Sequence, residues 1–215
     1  EKLFITAAGT SGMTKDVSWT SLLEKDTGMA IFVVPENNPA KRVHLVGEGE
    51  MFIHSMGKSG VRTHTEALDE TATKKGGGFQ TRSVWIDNIA YSAVFVRGDS
   101  DINTIYDIKP GVRWSVWSTS SSILKVPKAI LDWVQVPHEE VKWVVSGSTE
   151  GAVRAVAEGR ADIMWFFPSS SYMYDAAAAP HSIKFLDLNS DADPEGAARF
   201  RESAAMYPFG VVGKT

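Results

Sequence analysis

Apolar stretches of strand length alternate along this chain with segments of helical period, and the turns leading from strand to helix are built largely of glycine, serine and threonine. This alternation confines the fold, because consecutive strands joined through a helix run parallel and need helices to cover their sheet. In the first half it predicts strands at Leu3–Ala8, Ala30–Val34 and Met51–Ser55. A tight loop, Gly9-Thr10-Ser11-Gly12, opens a helix with Val17, Leu22 and Leu23 on its apolar side and Gly28 at its end. A short helix is expected over Pro39–Val46, and a surface helix near Glu66–Ala72 followed by a glycine-rich loop.

Ala90–Val96 reads as a partly exposed strand that ends the first half. Beyond it come an Asp-Ser turn, the short Asp-Ile-Lys-Pro-Gly element and strands at Arg113–Val116, Val141–Val145, Ala161–Phe166 and Ile183–Leu186. Helices are expected over Ser122–Val134, Ser148–Glu158, Ser169–Ala178 and Pro194–Ala204. Ser148–Glu158 is the best marked of them: Ser and Thr begin it, Val153, Val156 and Ala157 recur at helical spacing, and Gly159 stops it. The order describes a chain that leaves one α/β lobe near Gly98 and starts another. The expected division is lobe 1 over residues 1–97, lobe 2 over 98–205 and a return segment over 206–215, with hinge strands near Ala90–Val96 and Ala205–Val212. No internal repeat is present.

Composition narrows the function. With 215 residues, 43% hydrophobic and 22% charged, the chain is long enough and apolar enough for a substantial core or two small lobes. A net charge of −4 supplies no basic field for a nucleic-acid backbone. The absence of cysteine removes disulfides, thiol catalysis and thiolate zinc sites. No apolar run is long enough to cross a bilayer. The chain opens at Glu1 directly into a strand, as a mature exported protein does after its signal peptide is removed and as a trimmed chain does equally.

The small-residue turns carry the chemistry. A turn that leads into a helix leaves backbone N–H groups unpaired, with the positive end of the helix dipole behind them, and so makes a seat for an anion. Two such seats are expected: Gly9, Thr10, Ser11, Gly12 and Met13 in the first lobe, and Ser118, Thr119, Ser120, Ser121 and Ser122 in the second. The plain alternative is that these hydroxyls are helix caps. Asn37, Asn38 and Ser55 fall at the carboxyl ends of strands, where open α/β sheets bind ligands, although Glu36-Asn37-Asn38-Pro39 also reads as a turn. Arg82 could pair with a carboxylate or serve as a surface charge. Of the seven tryptophans, Trp133 and Trp143 read as core, whereas Trp117 stands at a strand end beside the hydroxyl loop. With Trp165, Phe166, Phe167, Pro168 and Ser169 it could wall a cleft and stack on an organic ligand. The combination points to a small carboxylate.

Enzymatic signatures are missing. The five histidines form no close metal-ligand pair, and there is no nucleophile elbow, P-loop or dinucleotide fingerprint. No catalytic residue, metal or cofactor is expected.

Several segments resemble one family in order and spacing. The first strand followed by GTSGM is similar to the glycine- and hydroxyl-rich first loop of the TAXI solute receptors of TRAP transporters, a branch of the type II periplasmic binding proteins. VVPENNPAKRVHLVGEGEMFIHS, DSDINTIYDIK, WSTSSSIL and EGRAD resemble successive elements of the same family, and Arg82 falls where it often has an arginine. Two features depart from it: Trp117-Ser118-Thr119-Ser120-Ser121-Ser122 replaces two glycines of its second cleft loop, and relatives continue well beyond position 215. The resemblance implies a two-lobed α/β fold of mixed, mainly parallel sheets flanked by helices. It further implies an extracytoplasmic, monomeric receptor that captures a glutamate-like or other organic acid between its lobes and passes it to TRAP membrane subunits, without inserting into the membrane itself. A ligand-sensing domain of a signalling system is the alternative, and an enzyme on a similar scaffold is a more distant one.

Overall fold

The computed structural model describes residues 2–7, 9–55, 65, 78, 80, 82, 84 and 91–204. The chain divides into two compact units, Glu1–Trp85 with Ser120–Ser122, and Ile86–Thr119 with Ile123–Thr215. The expected helix at 66–72 and the return strand at 205–212 lie outside the described residues. No described helix is long and apolar enough to cross a membrane.

In the first unit, β1 (Lys2–Ala7), β2 (Ala30–Pro35) and β3 (Ile53–His54) form a parallel sheet in the order β2-β1-β3. Helix α1 (Gly9–Thr27) connects β1 to β2, and α2 (Pro39–Gly47) connects β2 to β3. Ile5, Ala7, Ile31, Ala40 and Val43 are buried. The inward stripe of α1 differs from the expected one. Asp16 and Thr20 are buried on it, whereas Val17 is 40% and Leu22 is 64% exposed. Residues 16, 20 and 23 share one face at i, i+4 and i+7, and positions 17 and 22 fall to either side of it. The expected apolar side therefore holds only for Leu23, which is half-buried.

The second unit holds a five-stranded mixed sheet in the order β6-β5-β7-β4-β8. Its strands are β4 (Ala93–Arg97), β5 (Arg113–Val116), β6 (Lys142–Val145), β7 (Ile163–Phe166) and β8 (Ile183–Leu186). β5 pairs in parallel with β6 and β7, while β4 runs antiparallel between β7 and β8. β4 is the strand that the sequence pattern placed at the end of the first lobe; its ladder partners lie in the second sheet.

Helices cover both faces: α3 (Ser121–Val134), α4 (Thr149–Ala157), α5 (Ser171–Ala177) and α6 (Pro194–Ala204). Alternation along the strands sorts the core into two layers. Val94, Val96, Trp114, Val116 and Ile163 pack with α3 residues Ile130 and Trp133 and with Phe200. Phe95, Met164 and Phe166 pack on the other side with Val153, Val156 and Met173. Gly159 takes φ +72° just after α4, the left-handed conformation in which glycine has no steric penalty.

One carboxylate ties the start of α6 to the core. Asp193 accepts hydrogen bonds from Gly196 N at 2.8 Å, from the Trp133 indole at 2.8 Å and from the Tyr106 hydroxyl at 2.8 Å. These bonds, led by that of Gly196 N, hold its carboxyl below the usual carboxylate pKa. A Cβ at position 196 would overlap the Trp133 indole and the Asp193 carboxylate. Gly196→Ala is therefore expected to cost about 1–3 kcal/mol by overpacking, read as a lowered midpoint in chemical denaturation. Because the carboxyl is depressed on folding, its contribution is present above the unfolded pKa and fades as pH falls through the folded one. Asp193→Asn should accordingly flatten the acid limb of a plot of Tm against pH; a limb identical to wild type would overturn this role.

Candidate ligand-binding site

Parallel pairing puts the carboxyl ends of β6, β5 and β7 on one edge of the second sheet, and three strand-to-helix turns gather there. After β5 come Trp117 to Ser120, leading into α3; after β6, Ser146 to Ser148, leading into α4; after β7, Phe167 to Ser170, leading into α5. The second turn starts against the end of β5, since Ser146 N donates to Val116 O at 3.0 Å. Hydroxyls crowd this edge. Ser120 is buried and its Oγ lies 3.3 Å from Ser122 Oγ. Ser118, Ser121 and Ser122 are half-buried, and Thr119 is exposed. Ser148 acts as the N-cap of α4, its Oγ accepting from Gly151 N at 3.1 Å. The hydroxyls of Ser146 and Ser170 are buried without a hydrogen-bond partner among the described residues, an arrangement that costs free energy unless a further donor or acceptor meets them.

Aromatic rings flank the hydroxyls. Trp117 is half-buried, meets Phe166 edge-on at 5.7 Å and packs against both core layers. Phe167 lies 5.1 Å from Phe166 and 5.6 Å from Trp165. Phe166 itself is buried among core residues, so it supports the wall and does not form it, contrary to the sequence reading. Phe167 and Pro168 are half-buried and Ser169 is exposed. Sequence reasoning missed Ser146, Ser148 and Ser170, whose signal was the strand that each of their turns follows.

In the first unit the carboxyl ends of β1, β2 and β3 likewise share an edge. The expected loop Gly9–Met13 is helical: β1 ends at Ala7 and α1 begins at Gly9, so the unpaired N–H groups of the helix start fall within Gly9–Gly12 themselves. Asn38 is the N-cap of α2, its Oδ1 accepting from Ala40 N at 2.9 Å and Lys41 N at 3.3 Å, which commits that oxygen to the helix. Asn37 is exposed, and so is Arg82. Ser55 follows β3 and accepts a hydrogen bond from Lys15 Nζ at 3.3 Å. Lys15 was not singled out from the sequence.

Beside Ser55, His54 is kept neutral: burial and then the Arg42 charge push its pKa down to about 4. Arg42 is buried, donates to Glu36 O at 2.6 Å and has its own pKa lowered by burial against the opposing pull of Glu36 and Asp16.

The second unit also carries two surface depressions. One of about 570 Å³ surrounds the carboxyl end of α3, where Asp132 binds both His138 and Ser203. The other, of about 270 Å³, runs between α4 and α5 over Val153 and Ala176.

No protein-family model matches the chain, and no curated protein matches its sequence. Solved structures do match in fold. The periplasmic aliphatic sulphonate binding protein SsuA from Escherichia coli aligns with a TM-score of 0.55 at 17% identity, over 95% of this chain and 69% of that one. PhnD1 from Prochlorococcus marinus, in complex with methylphosphonate, aligns with a TM-score of 0.60 at 14% identity, over 86% of this chain and 71% of that one. The ancestral amino acid-binding protein AncCDT-1, a precursor of cyclohexadienyl dehydratase, aligns at 0.57 and 16%, over 94% of this chain and 95% of that one. The fold is the α/β fold of the two-lobed type II periplasmic binding proteins. The chain spans between 60% and 71% of the length of its sulphonate and phosphonate neighbours.

His54 supplies a direct check on the charge state of the first edge. Its pKa of 6.5 in the unfolded chain drops to about 4 on folding, so the unfolded chain binds more protons between these values and stability falls as pH is lowered through that window. Its imidazole resonances should remain those of the neutral ring down to about pH 4, and His54→Gln should remove part of the stability loss between pH 6.5 and 4. Protonation near pH 6 would show the ring to be solvated instead.

Proposed function

We propose that this chain is an extracytoplasmic solute receptor that captures a small organic acid between its two lobes and hands it to a membrane transporter. The observation that carries the proposal is the hydroxyl-rich, aromatic-flanked edge at the carboxyl ends of β6, β5 and β7, with two buried serine hydroxyls there lacking a partner among the described residues. Backbone N–H groups and hydroxyls suit a carboxylate, and Trp117 and Phe167 suit an organic body. Receptors of sulphonate, phosphonate and amino acids share the fold, which favours an anionic or zwitterionic solute. Carboxylates, including glutamate-like and aromatic acids, are the first choice, and the sequence resemblance favours a TRAP-type transporter as the recipient. Residues Gly9–Met13 and Ser118–Ser122 are the segments that would supply those N–H groups and hydroxyls. Binding then closes the lobes, since a ligand shifts a population only through tighter binding to one state.

Calorimetry against a panel of acids and their amides tests the ligand class, and small-angle scattering tests closure. Acids should bind with a decrease in radius of gyration, and Ser121→Ala should weaken binding by about 0.5–3 kcal/mol while leaving the ligand-free Tm close to wild type. Binding of neutral sugars in place of acids, or tight binding without compaction, would overturn the proposal.

A further inference from the structure

A hydroxyl group both donates and accepts, and one that is buried with neither function met sets a condition on whatever comes to lie against it. Ser146 and Ser170 are in that position: each residue is half-buried, while its hydroxyl oxygen is buried without a hydrogen-bond partner among the described residues. Neither hydroxyl is spent on a helix cap. Ser170 occupies the N-cap position of α5 and makes no side-chain cap bond. At α4 the cap is Ser148, and Gly147, at φ +69°, turns the chain between Ser146 and that cap. Ser146 stays with the strand end through its N–H bond to Val116 O, and its side chain lies over the first turn of α4, where a Cβ at Gly151 would stand 3.3 Å from Ser146 Cβ.

The surroundings decide what these oxygens suit. The turns over residues 117–119, 146–148 and 167–170 contain no charged residue, and Glu150, the nearest in sequence, pairs with Arg154 at 2.8 Å. Unpaired N–H groups at the start of α4 supply donors only, and so suit the oxygens of an acid. A donor on the solute finds its acceptor in a serine oxygen. An ammonium group on this edge would lack a counter-charge, at a cost that a neutral hydroxyl does not carry. A plain acid would bring no donor for these oxygens to accept.

We propose that Ser146 and Ser170 read a neutral hydroxyl on the solute, and that the acid this receptor captures is therefore a hydroxy acid, its carboxylate met by N–H groups and its hydroxyl by these serines. On binding, a change of χ1 between staggered wells turns each serine oxygen from its closed position toward the solute. This rests on the solute-receptor reading above and narrows the class of acid within it.

The test is calorimetry on the full chain with two series of acids: glutarate, α-hydroxyglutarate and L-glutamate, and phenylpropionate, phenyllactate and L-phenylalanine. Wild type should bind the hydroxy acid of at least one series about 3- to 10-fold more tightly than both the plain acid and the amino acid. Ser146→Ala and Ser170→Ala should each weaken that hydroxy acid about 3- to 10-fold and leave the plain acid nearly unchanged. The ligand-free Tm should stay at or above wild type, because each change removes a hydroxyl that was unsatisfied. Ser170→Thr, which keeps the hydroxyl, should retain the preference. Should an alanine variant fail to fold, the wild-type ranking decides by itself. A plain or amino acid bound as tightly as the hydroxy acid in both series, or alanine variants that keep the wild-type preference because those hydroxyls meet only water, would overturn the hydroxyl role and leave the receptor reading intact. Wild type that binds no acid of either series would remove both.

Discussion

Parallel pairing of β6, β5 and β7 is the constraint on which the rest of the second unit depends. Each parallel neighbour must be reached by a crossover, so each of these strands is followed by a helix and each turn is carried to the same edge. Burial on both faces follows, and with it the split of the core into one layer around Trp114 and Trp133 and another around Phe95 and Met164. The edge itself cannot be apolar throughout, because the starts of α3 and α4 leave N–H groups there that water, side chains or a ligand must satisfy. Serine is the economical answer, and it can also turn toward a bound oxygen.

Much of this order is visible in the sequence because period and punctuation agree. β5, β8 and α6 fall where the pattern places them, and α4 differs only at its ends, with Ser148 as the cap and Gly159 as the stop. The failures have local causes. The glycines and hydroxyls at 9–12 read as a loop, yet β1 passes into α1 with a single residue between them, and the same residues become the first turn. The polar stripe of Asp16 and Thr20 hides an inward face, since a carboxylate that accepts the Trp19 indole and a hydroxyl that donates to Val17 O resemble surface residues in a hydropathy pattern.

The candidate site was legible in part for the same reason. Trp117 to Ser122 stand out because a large aromatic residue and a run of hydroxyls adjoin a strand. Asn38 looked equally suitable, but its oxygen serves α2, a use that depends on where the helix starts. Ser146 and Ser170 become candidates only through pairing, as two serines brought to the edge by strand order.

The antiparallel strand β4 has a bearing on biogenesis. It enters the second unit between β7 and β8, so its two ladders join residues 93–97 to residues 163–166 and 183–186. Contacts of such long sequence separation slow folding, because the closure entropy of the intervening chain must be lost before pairing stabilises anything. While the chain is emerging, β4 presents two unpaired edges, Val94, Phe95 and Val96 among them, until β8 has appeared. A late-closing sheet therefore leaves these apolar residues uncovered until most of the chain is available to pair with them.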